Sequence, residues 1–481
     1  MMRPATLRLA AIVLCASPFA CAHERPVAPA SRAPAAAQAP LQAGALPPSG
    51  DALSPAAAAL AASIDPRRLQ QTVAKLVAFG TRHTLSETTS PTRGIGAARR
   101  WLAGEFLALT RLPGSRLQPF EDRFTAPPQP RIPSAVEVVD VGVVLPGADP
   151  ARTGPGRRCA VVMTGHYDSR ASDILDAQSD APGANDDGSG VAMALELARA
   201  FATLDTPVSV YFVAVAGEEQ GLVGSSHLAA RLKAEGVEVL ADVSVDIAGN
   251  SEGEGGVVVD NVARLYSEGV PQRETAPERK IRVALGGEND SPSRQWARYV
   301  QRVGERAVPG LDLQVMLRRD RIARGTDDMP FLAEGFPGIR LSEGREDFAR
   351  QHQNPRVENG VAYGDDLAHY DAAYAAKLGR ALGAALASLA LAPAPPAAVA
   401  LSGAVSTTAK LRWTLPADPR LAGVVVYRRR ADAVAWQRAD RLGKVDRLEL
   451  PGVVGDDEYF AVATTDEAGN ESLPQTPSRL E

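Results

Sequence analysis

Apolar residues gather in short runs through the middle of the chain, and stretches with helix-like spacing separate them. The runs Val136 to Leu145, Cys159 to Thr164, Val208 to Ala216, Val239 to Ile247, Gln314 to Arg319 and Gly338 to Leu341 predict strands. Gly190 to Thr203 and Ser225 to Glu235 predict helices between them. Further upstream, Asp65 and Pro66 supply an N-cap and a first-turn proline for a helix carrying Leu69, Val73, Leu76 and Val77, and a second helix is expected from Ile95 to Leu109. Such alternation predicts an α/β domain: a mixed, mostly parallel twisted sheet with helices on both faces.

The pattern fails at both ends. Residues 23–62 are dominated by Ala and Pro, too poor in large apolar groups to order themselves, and read as a flexible tether. Residues 1–22 place Arg3 and Arg8 before a short apolar run and small residues, which reads as an export signal too short to span a bilayer. The mature protein is then expected in the periplasm or outside the cell, with Cys21 marking either a cleavage site or a lipid anchor. The α/β domain occupies 63–391. Residues 392–396, Ala-Pro-Ala-Pro-Pro, form a linker, and the short runs Lys410 to Trp413, Gly423 to Tyr427, Arg447 to Leu450 and Tyr459 to Ala463 predict a small all-β sandwich over 397–481.

Composition narrows the function. With 52 Lys+Arg against 57 Asp+Glu the net charge is −5, which excludes the basic footprint of a dedicated nucleic-acid binder. Three cysteines make no disulfide framework, and Cys159, alone in a predicted strand, reads as an inert buried thiol. Histidine occurs only six times, so its positions carry information.

Open sheets of this class gather active sites beyond the carboxyl ends of their strands. His166 and Asp168 follow the strand from Cys159, Glu218 and Glu219 follow the strand from Val208, Asp246 closes the strand from Val239, and His352 lies a charged loop beyond the strand from Gly338. The loop Gly183 to Gly190, GANDDGSG, adds Asp186 and Asp187 at a helix start. Two histidines and several carboxylates without cysteine suit zinc or a similar divalent ion in a hydrolytic site. Asp168 can hold one ring nitrogen of His166 while the other faces metal. The adjacent glutamates can divide metal binding from proton transfer, and Asp186 can bridge two ions. Singly, each has an ordinary explanation: a paired histidine at a strand end, a helix cap, solvated glutamates, an exposed histidine. Their coincidence at successive strand ends favours the metal site.

The ordered set GHYDS, GANDDGSG, AGEEQGLVGS, VDIAGN and a late histidine resembles the di-zinc exopeptidase family that includes secreted bacterial leucyl-type aminopeptidases, over roughly Ile64 to Leu391. The resemblance implies a zinc exopeptidase-like fold with two Zn2+ ions, one held by His166, Asp186 and Asp246, the other by Asp186, Glu219 and His352. It implies Glu218 as general base, Asp168 as the residue orienting His166, a cis peptide between Asp186 and Asp187, and peptide substrates with a free N-terminus. Gly80 to His83 and Gly325 to Phe331 fit the same family as support for the site rather than as ligands. Such enzymes often carry Tyr before the last histidine; here Gln351 stands there, with an amide able to donate a similar hydrogen bond. The acid-rich stretch Ser251 to Pro292 either walls the pocket and attracts an α-amino group or is a solvated loop. Trp413, Tyr427 and Asp466 to Ser472 resemble a fibronectin type III domain, which either binds a surface or substrate or packs on the catalytic domain. The alternatives are a glutaminyl cyclase-like acyltransferase and an inert binding module on the same fold.

Overall fold

A computed structural model describes residues 52–154 and 158–480. The export signal, Cys21 and the tether up to residue 51 lie outside the described residues. In chain order the strands of the first domain are β1 (Gln118–Ala126), β2 (Val136–Leu145), β3 (Arg158–His166), β4 (Ser209–Val215), β5 (Val237–Val245), β6 (Glu252–Gly253), β7 (Val257–Val258), β8 (Val262–Ser267), β9 (Asp312–Met316), β10 (Gly338–Glu343), β11 (Arg356–Glu358) and β12 (Val361–Tyr363). Two small hairpins, β6–β7 and β11–β12, stand apart, and the other eight strands form one sheet in the order β1-β2-β4-β3-β5-β10-β8-β9. Neighbours β4, β3, β5 and β10 run parallel, while β2 and β8 flank them antiparallel. The sheet is thus mixed, with a parallel centre, as the alternating pattern predicts.

The helices are α1 (Pro55–Ser63), α2 (Pro66–Val77), α3 (Gly94–Leu109), α4 (Pro150–Thr153), α5 (Gly188–Phe201), α6 (Val223–Ala234), α7 (Ala276–Leu285), α8 (Pro292–Ala307), α9 (Asp328–Ala333) and α10 (Ala372–Leu391). They cover both faces. Along β3 the side chains alternate: Cys159, Val161 and Met163 join the large core with α5 and α10, while Ala160 and Val162 join a second core with Leu228 and Leu232 of α6 and Phe331 of α9. That is the period-two pleat of a strand buried on both sides, which is why its sequence reads as a continuous apolar run. Among the described residues no helix is long and apolar enough to cross a membrane.

The expected tether ends too late. Residues 55–63 form α1, with Ser54 accepting a hydrogen bond from the N–H of Ala57 and with Ala57, Leu60 and Ala61 buried. Alanine is the strongest helix former, and Gly383 of α10 opens the space that Leu60 fills: a Cβ there would stand 2.6 Å from Leu60 Cδ2. The expected linker is likewise packed. Ala392, Pro393, Ala394 and Pro396 are buried, and Arg152, Arg420, Asp418 and Thr464 hydrogen-bond to its backbone. The stretch Ser251 to Pro292 is no plain loop, for it contributes β8 to the sheet and α7 beyond it.

The C-terminal strands β13 (Ala397–Ser402), β14 (Thr408–Thr414), β15 (Gly423–Arg430), β16 (Arg438–Leu442), β17 (Arg447–Pro451), β18 (Glu458–Thr465) and β19 (Arg479–Leu480) make two sheets, β17-β14-β13-β19 and β16-β15-β18. Val399, Leu411, Trp413, Val424, Val426, Phe460 and Val462 fill the space between them. The outer face of the three-stranded sheet docks on α8. Arg302 meets Glu471 at 2.8 Å, and Tyr299 Oη donates to the Glu471 carbonyl at 2.8 Å. Asp290 lies 2.6 Å from both Arg298 and Arg429.

Candidate metal centre

Because β4, β3, β5 and β10 are parallel neighbours, their carboxyl ends open on one edge of the sheet. His166 is the last residue of β3, Glu218 and Glu219 follow β4, Asp246 follows β5, and the loop after β10 returns His352 to the same place. His166 Nε2 lies 3.1 Å from Asp186 Oδ1 and 3.8 Å from Asp246 Oδ1. His352 Nε2 lies 3.1 Å from both Asp186 Oδ2 and Glu219 Oε1. The five side chains form two triads, His166-Asp186-Asp246 and Asp186-Glu219-His352, with Asp186 presenting one oxygen to each. His166 Nε2, Glu219 Oε1 and Asp246 Oδ1 are buried without a hydrogen-bond partner. Orphaned polar atoms of this kind are costly unless something fills the space between them. The donor set, imidazole nitrogen and carboxylate oxygen, fits zinc.

The loop bearing Asp186 is fixed from several directions. Asp187 caps α5, accepting from the N–H of Gly190 at 2.8 Å, and its other oxygen accepts from the N–H of His166 at 3.0 Å. A Cβ on Gly190 would stand 2.0 Å from the Val245 carbonyl oxygen, so only glycine lets the helix start lie against the end of β5. The Asp186–Asp187 peptide is cis. Asp365 accepts from the backbone N–H groups of Asn185 and Asp186. Arg82, fully buried, donates to the carbonyls of Tyr167 and Gly183.

Asp168 sits beside the site rather than in it. The His166 ring meets its carbonyl oxygen at 3.1 Å through Nδ1, with the carboxylate at 3.6 Å. The carboxylate accepts from the N–H groups of Glu218 and Glu219 and from the Thr84 hydroxyl. It therefore joins the end of β3 to the loop after β4. Arg340, midway along β10, meets Asp246 Oδ2 at 3.2 Å and leaves Oδ1 facing the cluster.

Electrostatics follow from this crowding. Burial opposes a proton on His166, yet the carboxylates of Asp168, Asp186 and Asp246 around its ring hold its pKa well above the ordinary histidine value. Burial also works against His352, but Glu219 and Asp186 raise its pKa to about 10. Asp186 titrates well below an ordinary aspartate: burial would raise it, and the two imidazoles outweigh that. These carboxylates thus hold positive charge strongly, the property a cation site needs. Glu218 behaves oppositely, its carboxyl raised well above the usual range by burial, with Glu219, Asp327 and Asp246 adding to the effect.

Sequence reasoning missed Asp365, Arg340 and Glu343, which accepts from Asn185 Nδ2 at 2.8 Å. Arg340 carried a signal, being a charged residue inside the strand predicted from Gly338 to Leu341; Glu343, two residues beyond that run, and Asp365 carried none. One expectation is corrected, and one open alternative is decided. Gln351 donates its amide to Glu346 at 2.7 Å and accepts from Arg324 at 2.9 Å, so its side chain braces the loop and is absent from the residues lining the cleft. The acids of 251–292 do not line the cleft either. Asp260 pairs with Lys377, Glu274 with Arg282 and Asp290 with Arg298. The remaining histidines bind locally: His83 to the Ile174 carbonyl, His227 to Asp122, and His369 lies near Asp366.

Residues 148–384 match the profile of Peptidase family M28. A "Probable zinc metalloprotease" of Leptosphaeria maculans is 39% identical over 395 residues, covering 82% of this chain and 90% of its own. Another of that description, from Pyrenophora teres f. teres, is 38% identical over 397 residues, covering 82% and 81%. The crystal structure of Legionella pneumophila LapA aligns with 72% of this chain and 79% of its own, at 18% identity and a TM-score of 0.47.

Proposed function

The chain belongs to peptidase family M28, and from that premise we propose that it is a zinc-dependent aminopeptidase that uses two metal ions to remove N-terminal residues from peptides. The observation that supports this reading is the pair of triads sharing Asp186. His166 and Asp246 would hold one ion, Glu219 and His352 the other, and Asp186 would bridge them. Bound divalent ions of this kind acidify water and polarise a carbonyl oxygen.

The chain's own groups supply the proton traffic. Glu218 lies in the cleft wall beside both triads. A carboxylate whose basicity is raised by burial takes a proton from the attacking water near neutral pH and returns it to the leaving amine. Asp168 keeps the His166 ring turned toward the cluster through its carbonyl, and its carboxylate holds the backbone that carries Glu218. We read residues 1–22 as an export signal, which N-terminal sequencing of the mature protein tests.

The deciding experiment combines metal analysis with a panel of free and N-acetylated peptides. Two equivalents of zinc and cleavage of unblocked peptides only are expected. Cleavage of the acetylated peptides at equal rates overturns the aminopeptidase assignment, and a single equivalent of zinc at full activity overturns the second ion.

A further inference from the structure

Above the triads lies an open cleft of about 520 Å³. Its acidic residues are Asp186, Glu218, Glu219 and Asp246, all belonging to the cluster, whereas the rest of its charge is cationic: Arg131, Arg170, Arg321 and Arg324. These arginines come from three separate connections, before β2, after β3 and after β9. They are not evenly neutralised. Arg131 is exposed and makes no ion pair among the described residues, and its Nη1 donates to the Glu219 carbonyl at 3.0 Å. The ion-pair partner of Arg170 is Glu219 at 3.7 Å, a residue of the cluster itself. Arg324 shares its one carboxylate partner, the buried Glu346, with Arg264 and Arg321. Arg321 has Asp320 as well and serves to hold the loop. A smaller pocket that shares Arg170, Asp186, Glu219 and His352 with the cleft is also lined by Arg350, whose Nε pairs with Asp347 at 3.2 Å and whose Nη1 is buried without a hydrogen-bond partner.

The cleft therefore has two poles. One is the acid–imidazole cluster, where an amino terminus and the scissile carbonyl belong on the reading above. The other is a set of guanidiniums of which Arg131 has no carboxylate partner among the described residues, while Arg170 and Arg324 share theirs with the cluster or with other arginines. Guanidinium matches the planar two-oxygen face of a carboxylate, and charges arranged this way discriminate partners as much as they bind them. A basic side chain beside the scissile bond would meet like charge there.

We propose that this cleft selects peptides bearing a carboxylate next to the scissile bond, supplied either by an acidic side chain or by the free C-terminus of a dipeptide. The inference rests on the peptidase reading. It is tested on zinc-loaded full-length protein with four probes: Leu-Glu-amide, Leu-Lys-amide, Leu-Ala-amide and Leu-Ala as the free acid. Expected is a kcat/KM about tenfold or more higher for the carboxylate-bearing member of at least one pair, equivalent to roughly 1.4 kcal/mol. Preference within the Glu/Lys pair identifies the side chain as the source, and preference for the free acid over the amide identifies the terminus. Arg131→Glu and Arg324→Glu are each expected to cut that ratio several-fold, and 0.5 M salt to lower it. Four equal rates, or a preference that neither substitution moves, overturns the proposal and leaves the peptidase reading standing. Absence of cleavage of every peptide overturns both.

Discussion

Asp290 offers a direct test of whether the β-sandwich is part of the enzyme's structural unit or a passenger. It stands at the start of α8 and is 8% exposed. One oxygen accepts from Arg298 at 2.6 Å and Gln295 at 3.1 Å, the other from Arg429 of β15 at 2.6 Å. Both arginine side chains are 3% exposed, so Asp290→Ala leaves two buried guanidiniums without their carboxylate. Breaking one side of a buried pair costs about 3–5 kcal/mol, because the surviving charge keeps its desolvation penalty. A folded unit of roughly 430 residues unfolds with about 0.9 kcal/mol/K of entropy, taking about 2.1 cal/mol/K per residue, so Tm should fall by about 3–6 °C. Calorimetry is the assay, and a single transition carrying both domains is expected. Asp290→Asn, which keeps an acceptor and loses the charge, should fall less. A change below about 1 °C in Asp290→Ala, or a sandwich that melts separately while the α/β transition stays in place, would refute the coupling. The same interface predicts that truncation at residue 396 exposes Tyr299 and Arg302 of α8 and lowers solubility.

Other perturbations probe the site and its support. Glu218→Gln should keep its zinc and lose about 10²- to 10⁴-fold in kcat, the range for a lost general base; metal analysis beside steady-state kinetics checks it, and near-wild-type turnover would sink the role. Gly190→Ala places a methyl group 2.0 Å from the Val245 carbonyl oxygen, backbone against backbone, so soluble yield and zinc content should both collapse. Burial pushes the Glu268 carboxyl up to about 7, so the folded state holds its proton more tightly than the unfolded chain does. That contribution to stability is fully present below the unfolded value near 4.5 and is lost as pH rises through about 7. Melting curves from pH 5 to 8 should therefore slope less in Glu268→Gln than in the native protein, and parallel curves would count against the burial argument.

The residues of the two triads could be read from the chain because His166, Glu219 and Asp246 lie at or just after strand ends, Asp186 at the start of α5 and His352 in the loop after β10, where local pattern and chemistry coincide. Strands buried on both faces, such as β3 and β5, announce themselves as apolar runs. The edge strand β1, QPFEDRFTA, alternates between exposed and buried positions and carries too much charge for that signal. The helix α1 was illegible for another reason. Alanine-rich sequence is compatible with a tether or with a helix, and the groove at Gly383 that decides between them lies more than three hundred residues away. The cleft arginines were hidden in the same manner: Arg131, Arg170 and Arg324 share no local pattern and meet only through loop closure.

The arrangement also explains why residues without an evident role as ligands carry so much of the geometry. The two oxygens of Asp186 face different histidines, held so because its backbone is tied to Asp365 while Asp187 pins the next peptide to β3, as the proposed bridging role would require. A terminal carboxylate works only if one oxygen stays free, and Asp246 does so because Arg340 engages the other. Arg340 is itself wholly buried and needs anionic partners, which Asp246 and Asp320 provide. The buried guanidinium and the buried ligand thus answer each other's desolvation, and neither is tolerable alone. Binding a cation at the cluster would compete with Arg340 for the charge of Asp246 but not for the same oxygen, which keeps the support in place whether or not the site is filled.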